Sequence, residues 1–125
     1  MTNKTKILIV EDEQALRDIL ETKFSAAGFD VVTAENGEVG LNKALKDQPN
    51  LILLDVLMPV MDGITMLEKL RQDEVGKNMS VILLTNLSDV ETMAKALENK
   101  AYDYFVKTKW DVNELIDKVK AKLQI

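Results

Sequence analysis

The amino-acid sequence predicts an α/β domain in which helices cover both faces of a five-stranded parallel sheet. Five short aliphatic runs alternate with segments whose apolar residues recur at helical spacing. The first, third and fourth runs are apolar at every position, as expected of strands that are buried on both faces. The 125 residues suffice for one such domain and no linker divides them, so we expect a single doubly wound domain over residues 1–125.

The five aliphatic runs define the predicted strands. They cover, in chain order, Lys6–Val10, Phe29–Thr33, Leu51–Leu54, Val81–Leu84 and Tyr102–Val106. Because crossover connections between parallel strands are right-handed, few arrangements of these strands are possible. In sheets of this kind, ligands bind at the edge formed by the carboxyl ends of the strands.

Three stretches carry clear helical stripes of apolar residues. The stripes are Leu16, Ile19, Leu20 and Phe24; Val90, Met93, Ala94 and Leu97; and Val112, Leu115, Ile116, Val119 and Leu123. Capping signals agree with them, because Ser88 and Thr108 each precede an acid by three residues and Asp62 precedes a glycine. The predicted helix stops are Gly28, Pro49 and Gly76.

The composition excludes several classes of function. The 16 basic and 21 acidic residues give a formal charge of −5, which argues against direct binding of nucleic acid. The absence of cysteine removes thiol nucleophiles, disulfides and cysteine zinc sites, and the absence of histidine removes the usual general base. No apolar run is long enough to cross a bilayer, so we expect a cytoplasmic protein with no membrane partner.

Charged and polar residues follow four of the five predicted strands. Glu11 and Asp12 follow the first, Asp55 the third, Thr85 the fourth and Lys107 the fifth, whereas the second ends without a charge. Since the carboxyl ends of parallel strands form one edge of the sheet, these residues are expected to converge there. The edge would then hold three carboxylates, one hydroxyl and one ammonium.

The chemistry of this predicted cluster is restrictive. Carboxylates within a few ångströms of one another repel, and they stay ionised only if cations neutralise them. Lys107 supplies one positive charge, and Mg²⁺ suits the remaining oxygen-only ligands. Asp55 is then placed to attack phosphorus, while Lys107, Thr85 and Mg²⁺ hold the phosphoryl oxygens.

Each residue also has an ordinary structural interpretation. Asp55 could end a strand, and Glu11 and Asp12 could interact favourably with a helix dipole. Thr85 could be a loop hydroxyl, and Lys107 could extend into solvent. Asp55, however, follows four consecutive aliphatic residues, where a charge is costly to desolvate. Together the residues favour a functional site, because all the ordinary explanations would have to hold at once.

The chain closely resembles the receiver domain of two-component response regulators, the CheY-like family. The resemblance covers essentially the whole chain. It rests on the acidic pair Glu11-Asp12, the string Asp55-Val-Leu-Met-Pro-Val-Met-Asp-Gly63, Thr85 and Lys107. It implies a flavodoxin-like fold with the strand order 2-1-3-4-5.

The resemblance also implies how the site works. Asp55 is the expected phospho-acceptor, and it takes a phosphoryl group from a phosphohistidine on a sensor histidine kinase or a histidine phosphotransfer protein. Asp12, Asp55 and the backbone carbonyl of Leu57 are the expected direct ligands of Mg²⁺, and Glu11 acts through water. We therefore expect a signalling switch that catalyses only its own phosphorylation and dephosphorylation, and not an enzyme.

The same resemblance implies how the signal leaves the site. Lys107 pairs with the phosphoryl group, while Thr85 hydrogen-bonds to it and shifts on phosphorylation. Tyr104 matches the switch aromatic that moves inward behind this threonine, although a tyrosine in a strand can simply be a packed ring. The expected output surface, formed by helix 4, strand 5 and helix 5, binds a downstream protein or a second copy of the chain. It includes Ala94, Leu97, Tyr104 and Phe105.

Three positions depart from the family pattern. Thr108 stands where a proline, often with a cis bond, is common. Because a non-proline cis bond costs about 2.5–4 kcal/mol, we expect a trans Lys107–Thr108 bond, with Thr108 as a helix N-cap. Asn86 stands where a small residue is common, and we expect its side chain to restrict access to Asp55. Lys100 takes a position often held by glycine.

Three alternative functions stay open. A Mg²⁺-dependent phosphohydrolase usually has a second Asp two residues after its nucleophile, where this chain has Leu57. A flavin-binding module needs a phosphate loop rich in Ser, Thr and Gly, whereas Glu11-Asp12-Glu13 repels a phosphate. A scaffold that is never phosphorylated is also compatible with the sequence. The last helix runs to Ile125 without a linker-like tail, which favours a stand-alone receiver over one cut from a larger regulator.

Overall fold

Five strands form one sheet in the computed structural model, which describes residues 4–85, 90–101, 103–107 and 111–125. The strands are β1 (Lys6–Val10), β2 (Asp30–Ala34), β3 (Leu51–Asp55), β4 (Ser80–Thr85) and β5 (Asp103–Val106). The helices are α1 (Gln14–Ala26), α2 (Gly37–Asp47), α3 (Gly63–Gln72), α4 (Val90–Glu98) and α5 (Val112–Leu123). None of the helices within the described ranges is long and apolar enough to span a membrane.

The sheet has the order β2-β1-β3-β4-β5, and each pair of neighbouring strands is parallel. This confirms the predicted doubly wound α/β fold and the strand order that the family resemblance implied. The order reverses direction between β1 and β3, and ligands bind beside such a reversal, outside the carboxyl ends of the strands. Val10 pairs with Leu54, and Asp55 pairs with Leu84, so the ends of β1, β3 and β4 lie at nearly the same level.

Two apolar layers cover the two faces of the sheet. Residues of β1, β3 and β4 alternate between the layers, which explains why these runs are apolar at every position. One layer contains Leu8, Val10, Ile52, Leu54 and Leu83, packed with residues of α2 and α3. The other contains Ile7, Ile9, Leu51, Leu53 and Ile82, packed with residues of α1 and α5.

The apolar stripes of α1 and α5 pack against the sheet, largely as predicted. Their buried members are Leu20, Phe24, Leu115, Ile116 and Val119. Ile19, however, is 48% exposed, so this member of the predicted stripe does not pack in the core. Successive helical residues are rotated by about 100°, which turns Ile19 away from the face that Leu20 buries.

The apolar residues of α4 divide between the core and the exposed surface expected from the family resemblance. The helix is buried at Ala96, which is fully inaccessible, whereas Ala94 is exposed and Leu97 is 55% exposed. Because α4 carries apolar residues on more than one side, the spacing alone did not show which side meets the sheet. A small residue at the contact lets the helix lie close to its neighbours, and it leaves larger apolar side chains at the surface.

The helix starts agree with the sequence at one position and differ at another. Asp62 caps α3 as predicted, because its side chain accepts a hydrogen bond from the N–H of Thr65 at 2.8 Å. α5 is capped by Asp111 rather than Thr108, since Asp111 is itself a good N-cap and directly precedes the helix. Ser88 and the Lys107–Thr108 bond lie outside the described residues.

The helix ends lie where the sequence places them. α1 is followed by Gly28 with a φ of 99°, α2 by Pro49, and α3 by the turn that contains Gly76. The strand ends shift slightly: β3 extends through Asp55 and β4 through Thr85, one residue beyond the predicted strands. Both predicted site residues are therefore the last residues of their strands. β2 begins and ends one residue later than predicted.

Lys100 closes α4 in a left-handed conformation, with a φ of 60°. The N–H of Lys100 donates to the Leu97 carbonyl and that of Ala101 to the Ala96 carbonyl, which is a Schellman motif. Since a side chain in this conformation costs about 1 kcal/mol, Lys100→Gly is expected to raise the free energy of unfolding by about 1 kcal/mol. Urea denaturation measures this change.

A matched glycine inside the same helix serves as the control. Lys95→Gly is expected to lower the free energy of unfolding by about 1 kcal/mol, because glycine is unfavourable in a helix interior. A loss of stability in both variants would contradict the strain assigned to Lys100.

Candidate functional site

Four charged residues meet at the carboxyl edge of the sheet. Glu11 and Asp12 directly follow β1, Asp55 ends β3, and Lys107 follows β5. Carboxylate oxygens of Glu11, Asp12 and Asp55 lie within 4.8 Å of one another. The Nζ atom of Lys107 is 2.6 Å from Glu11 Oε1 and 3.1 Å from Asp55 Oδ1. The fold thus forms one cluster from the ends of three strands that are widely separated in the sequence.

The members of this cluster differ in their exposure to solvent. Glu11 is fully buried and Asp55 is 5% exposed, whereas Asp12 is exposed. The side chain of Lys107, which lies against both buried acids, is 11% exposed. α1 begins only at Gln14, so Glu11 and Asp12 lie outside its first turn and a helix dipole does not explain them.

Thr85 lies at the same edge as the acids. It is the last residue of β4, is 7% exposed, and pairs in the sheet with Val106. Its strand neighbour Leu84 is the register partner of Asp55, so the hydroxyl-bearing residue stands one position further along the edge. Asn86 lies outside the described residues, and its expected effect on access stays a prediction.

Burial and charge together set the pKa values of the cluster. Burial raises the pKa of Glu11 to about 7, although the contacts with Lys107 and with the N–H of Glu13 oppose this. Burial also raises the pKa of Asp55, against the neighbouring charge of Lys107. Burial lowers the pKa of Lys107, but its contacts with Glu11 and Asp55 reverse this and leave the pKa raised. The ammonium is therefore retained at neutral pH, and a second cation would favour ionised acids.

The β1–α1 loop, which carries two of the acids, is fixed by several hydrogen bonds. The N–H of Glu13 donates to Glu11 Oε2 at 3.1 Å, and the N–H of Glu11 donates to the Ala34 carbonyl at 3.0 Å. Arg17 Nη1 donates to the carbonyl of Glu11 at 2.8 Å and to that of Asp12 at 3.4 Å. No sequence pattern singles out Arg17, because an arginine early in a helix is usually a surface residue.

The β3–α3 loop returns the chain to Asp55 through Gly63. The N–H of Gly63 donates to the Val56 carbonyl at 2.8 Å, and a Cβ atom at position 63 would collide with the Asp55 carbonyl. The glycine of the motif therefore has a steric cause, since α3 starts against the end of β3. Leu57, whose carbonyl is an expected metal ligand, lies in this loop with its side chain 69% exposed.

The donor set of the cluster fits a hard divalent cation. The three carboxylates offer only oxygen ligands, and when ionised they carry two more negative charges than Lys107 neutralises. Such a site suits Mg²⁺, which prefers carboxylate oxygens and water. The acidic cluster is thus a candidate metal centre.

The output surface expected from the sequence is partly apolar and exposed. Leu97 is 55% exposed and Tyr104 is 48% exposed, while Ala94 is exposed and Phe105 is half-buried. The side chain of Tyr104 is thus in an outward position in this structure. Its inward movement on phosphorylation stays a prediction.

A parallel α/β domain with this strand order and with acids and a lysine at its carboxyl edge is CheY-like. Residues 7–120 match the response regulator receiver domain family, and the chain belongs to that family, the receiver domains of two-component systems. This confirms the resemblance found in the sequence.

Similar proteins include regulators from algae and bacteria. The chain is 39% identical over 124 residues to a probable transcriptional regulator ycf27 of Guillardia theta, covering 99% of this chain and 47% of that protein. It is 35% identical over 119 residues to the DNA-binding dual master transcriptional regulator RpaA of Synechocystis sp., and the alignment covers 95% of this chain and 49% of that protein. The chain spans less than half the length of these relatives.

Solved structures show the same fold. The CheY-like response regulator receiver domain protein from Methanospirillum hungatei JF-1 aligns with a TM-score of 0.90 and 30% identity, covering 98% of this chain and 95% of that chain. A putative response regulator from Chloroflexus aurantiacus J-10-fl aligns with a TM-score of 0.87 and 31% identity, and the alignment covers 98% of this chain and 100% of that chain.

Proposed function

We propose that this chain is a phosphorylatable signalling switch in which Asp55 accepts a phosphoryl group. The observation that carries the proposal is a nearly buried carboxylate, 5% exposed, that lies 3.1 Å from Lys107 and clusters with Glu11 and Asp12. Burial of several acids beside one lysine is costly for the fold, and such arrangements are typical of functional sites.

The proposed reaction transfers a phosphoryl group from a histidine nitrogen of the donor to a carboxylate oxygen of Asp55. A carboxylate oxygen of Asp55 forms a bond to phosphorus while the bond from phosphorus to the donor's imidazole nitrogen breaks. The imidazole keeps the electron pair of that bond and takes up a proton. Lys107 offsets the charge on the phosphoryl oxygens, and Thr85, at the end of the neighbouring strand, donates a hydrogen bond to one of them.

The proposed cofactor is Mg²⁺, which when bound supplies positive charge that stabilises the transferred phosphoryl group. Asp12, Asp55 and the backbone carbonyl of Leu57 would hold it directly. Glu11 is assigned a contact through water, because it is fully buried and its Oε1 already lies 2.6 Å from Lys107 Nζ.

A phosphohydrolase is a less well supported function for the same site. The residue two positions after Asp55 is Leu57, whose exposed apolar side chain has no proton to give to a leaving group. An Asp at that position would also take the proton of the water that attacks the phosphorylated aspartate, and without such a base this hydrolysis is slow. A long-lived modified state suits a switch better than an enzyme that turns over.

The proposed partners follow from this role. A sensor histidine kinase or a histidine phosphotransfer protein donates the phosphoryl group. The surface formed by α4, β5 and α5, where Leu97 and Tyr104 are exposed, binds a downstream protein or a second copy of the chain. Direct contact with nucleic acid or membrane is not part of the proposal, because the chain has a net charge of −5. We place the protein in the cytoplasm, with residues 1–125 forming one receiver domain.

Incubation with a small-molecule phosphodonor tests the proposal. In the presence of Mg²⁺, the intact mass is expected to increase by one phosphoryl group, and peptide mapping is expected to locate it on Asp55. Removal of Mg²⁺ with a chelator is expected to slow the labelling by about a hundredfold, because the metal contributes several kcal/mol of charge stabilisation. An unchanged mass in folded protein, or a label on another residue, would overturn the proposal.

A further inference from the structure

Arg17 connects α1 to the backbone of the β1–α1 loop, which carries Glu11 and Asp12. It lies in the first turn of α1, is half-buried, and directs Nη1 at two successive backbone carbonyls. The distances are 2.8 Å to the carbonyl of Glu11 and 3.4 Å to that of Asp12. The guanidinium thus binds the backbone of the two acids and not their carboxylates.

These two carbonyls lie on either side of the α-carbon of Asp12. The first belongs to the peptide group that precedes Asp12, and the second to the peptide group that follows it. Fixing both peptide planes fixes the backbone dihedral angles of Asp12, and these set the direction of its side chain. Asp12 itself is exposed, so its own surroundings hold it less firmly than those of the buried Glu11.

Arginine is well suited to this task. Its planar guanidinium holds the two N–H groups of Nη1 in a rigid fork, and their bonds to the two carbonyl oxygens are charge-assisted. A lysine carries the same charge on a flexible stem, without the fork. The contact therefore depends on geometry as well as charge.

We propose that Arg17 is a positioning residue that holds the carboxylate of Asp12 in place for Mg²⁺ binding. The inference rests on the proposed function, since it assigns Arg17 to the same metal site. A competing effect has the opposite sign, because a positive charge near the acids repels a cation. If charge alone mattered, removing it would strengthen Mg²⁺ binding, and replacing arginine by lysine would change little.

Two variants separate these effects. Isothermal titration calorimetry with MgCl₂ gives the Mg²⁺ dissociation constant of the unphosphorylated wild type, Arg17→Lys and Arg17→Gln. Positioning predicts that both variants bind Mg²⁺ about tenfold more weakly, as is usual when groups that orient metal ligands are lost. Circular dichroism and urea denaturation check that each variant is folded. If Arg17→Gln does not fold, the Mg²⁺ affinity of Arg17→Lys is compared with that of the wild type.

Arg71→Gln provides a matched control. Arg71 also donates from a helix to backbone carbonyls, at 2.7 Å to Asn99 and 2.8 Å to Gly76, but beside the amino ends of the strands. The Arg71→Gln variant is expected to bind Mg²⁺ with the affinity of the wild type. Equal affinity would support a positioning role that is specific to Arg17.

The outcomes separate the inference from the proposed function. Wild-type affinity in both Arg17 variants, or tighter binding by Arg17→Gln alone, would overturn the positioning role while leaving the metal site intact. A wild-type chain that binds no Mg²⁺ would overturn the proposed metal site itself.

Discussion

Asp55→Asn is expected to take up no phosphoryl group under conditions that label the wild-type chain. The substitution keeps the size and shape of the side chain but replaces the attacking carboxylate oxygen with an amide, which is a poor nucleophile at phosphorus. No other acid of the cluster combines burial in a strand end with contact to Lys107, so no substitute acceptor is expected among the described residues. Intact mass after incubation with a phosphodonor and Mg²⁺ measures the result.

A matched substitution on the surface controls for a general loss of reactivity. Asp117 lies exposed on α5, away from the carboxyl edge, and Asp117→Asn is expected to be labelled at the wild-type rate. Equal labelling of Asp55→Asn and wild type would show that the acceptor is a different residue and would remove the basis of the proposed switch.

Asp55→Asn also measures how much stability the fold loses by burying an ionised carboxylate at position 55. Since burial raises the pKa of Asp55, the fold disfavours its ionised form at neutral pH. Asp55→Asn without Mg²⁺ is therefore expected to have a higher free energy of unfolding than the wild type. A loss of activity that accompanies a gain of stability is typical of a functional residue.

The position of the site could be predicted because topology determines it. Aliphatic runs mark buried parallel strands, and whatever follows their carboxyl ends shares one edge of the sheet. Glu11, Asp55 and Lys107 are far apart in sequence, yet this rule alone places them together, and the structure has them within ion-pair distance.

Other features of the site depend on details that short sequence patterns do not contain. Glu11 and Asp12 are adjacent acids, and only the path of the loop decides that one is buried and the other exposed. Arg17 acts through backbone carbonyls, which every residue possesses, so no motif marks its partners. The core face of α4 depends on the small residue Ala96, which apolar periodicity weights less than its larger neighbours.

Lys107→Met is expected to lower the free energy of unfolding by about 3 kcal/mol at about pH 8 without Mg²⁺, the usual range for removing one partner of a buried ion pair. The substitution keeps an unbranched apolar stem but leaves Glu11, which is fully buried, without the ammonium at 2.6 Å. Asp55 loses the same partner. Urea denaturation of wild type and variant measures the difference.

The destabilisation by Lys107→Met is expected to grow with pH. In the wild type, the pKa of Glu11 is raised from 4.5 to about 7, so its stabilising contribution is complete below 4.5 and is lost as the pH rises to about 7. Because Lys107 lowers the pKa of both buried acids, its removal raises both further. At about pH 5 the buried acids are protonated and need no cation, so the free energy of unfolding of the variant is expected to fall only slightly. The decrease is expected to be largest at about pH 8, where the acids are ionised.

A second substitution tests whether charge is the cause of this loss. In the double variant Glu11→Gln with Lys107→Met, the fully buried acid no longer needs a cation, so most of the stability at about pH 8 is expected to return. Lys69→Met, at an exposed position of α3, is the control and is expected to change the stability by less than about 0.5 kcal/mol. An equal loss at both pH values that persists in the double variant would mean that Lys107 stabilises the fold by packing. Dependence on pH and on Glu11 would mean instead that Lys107 is the cation that makes a cluster of buried acids compatible with the fold.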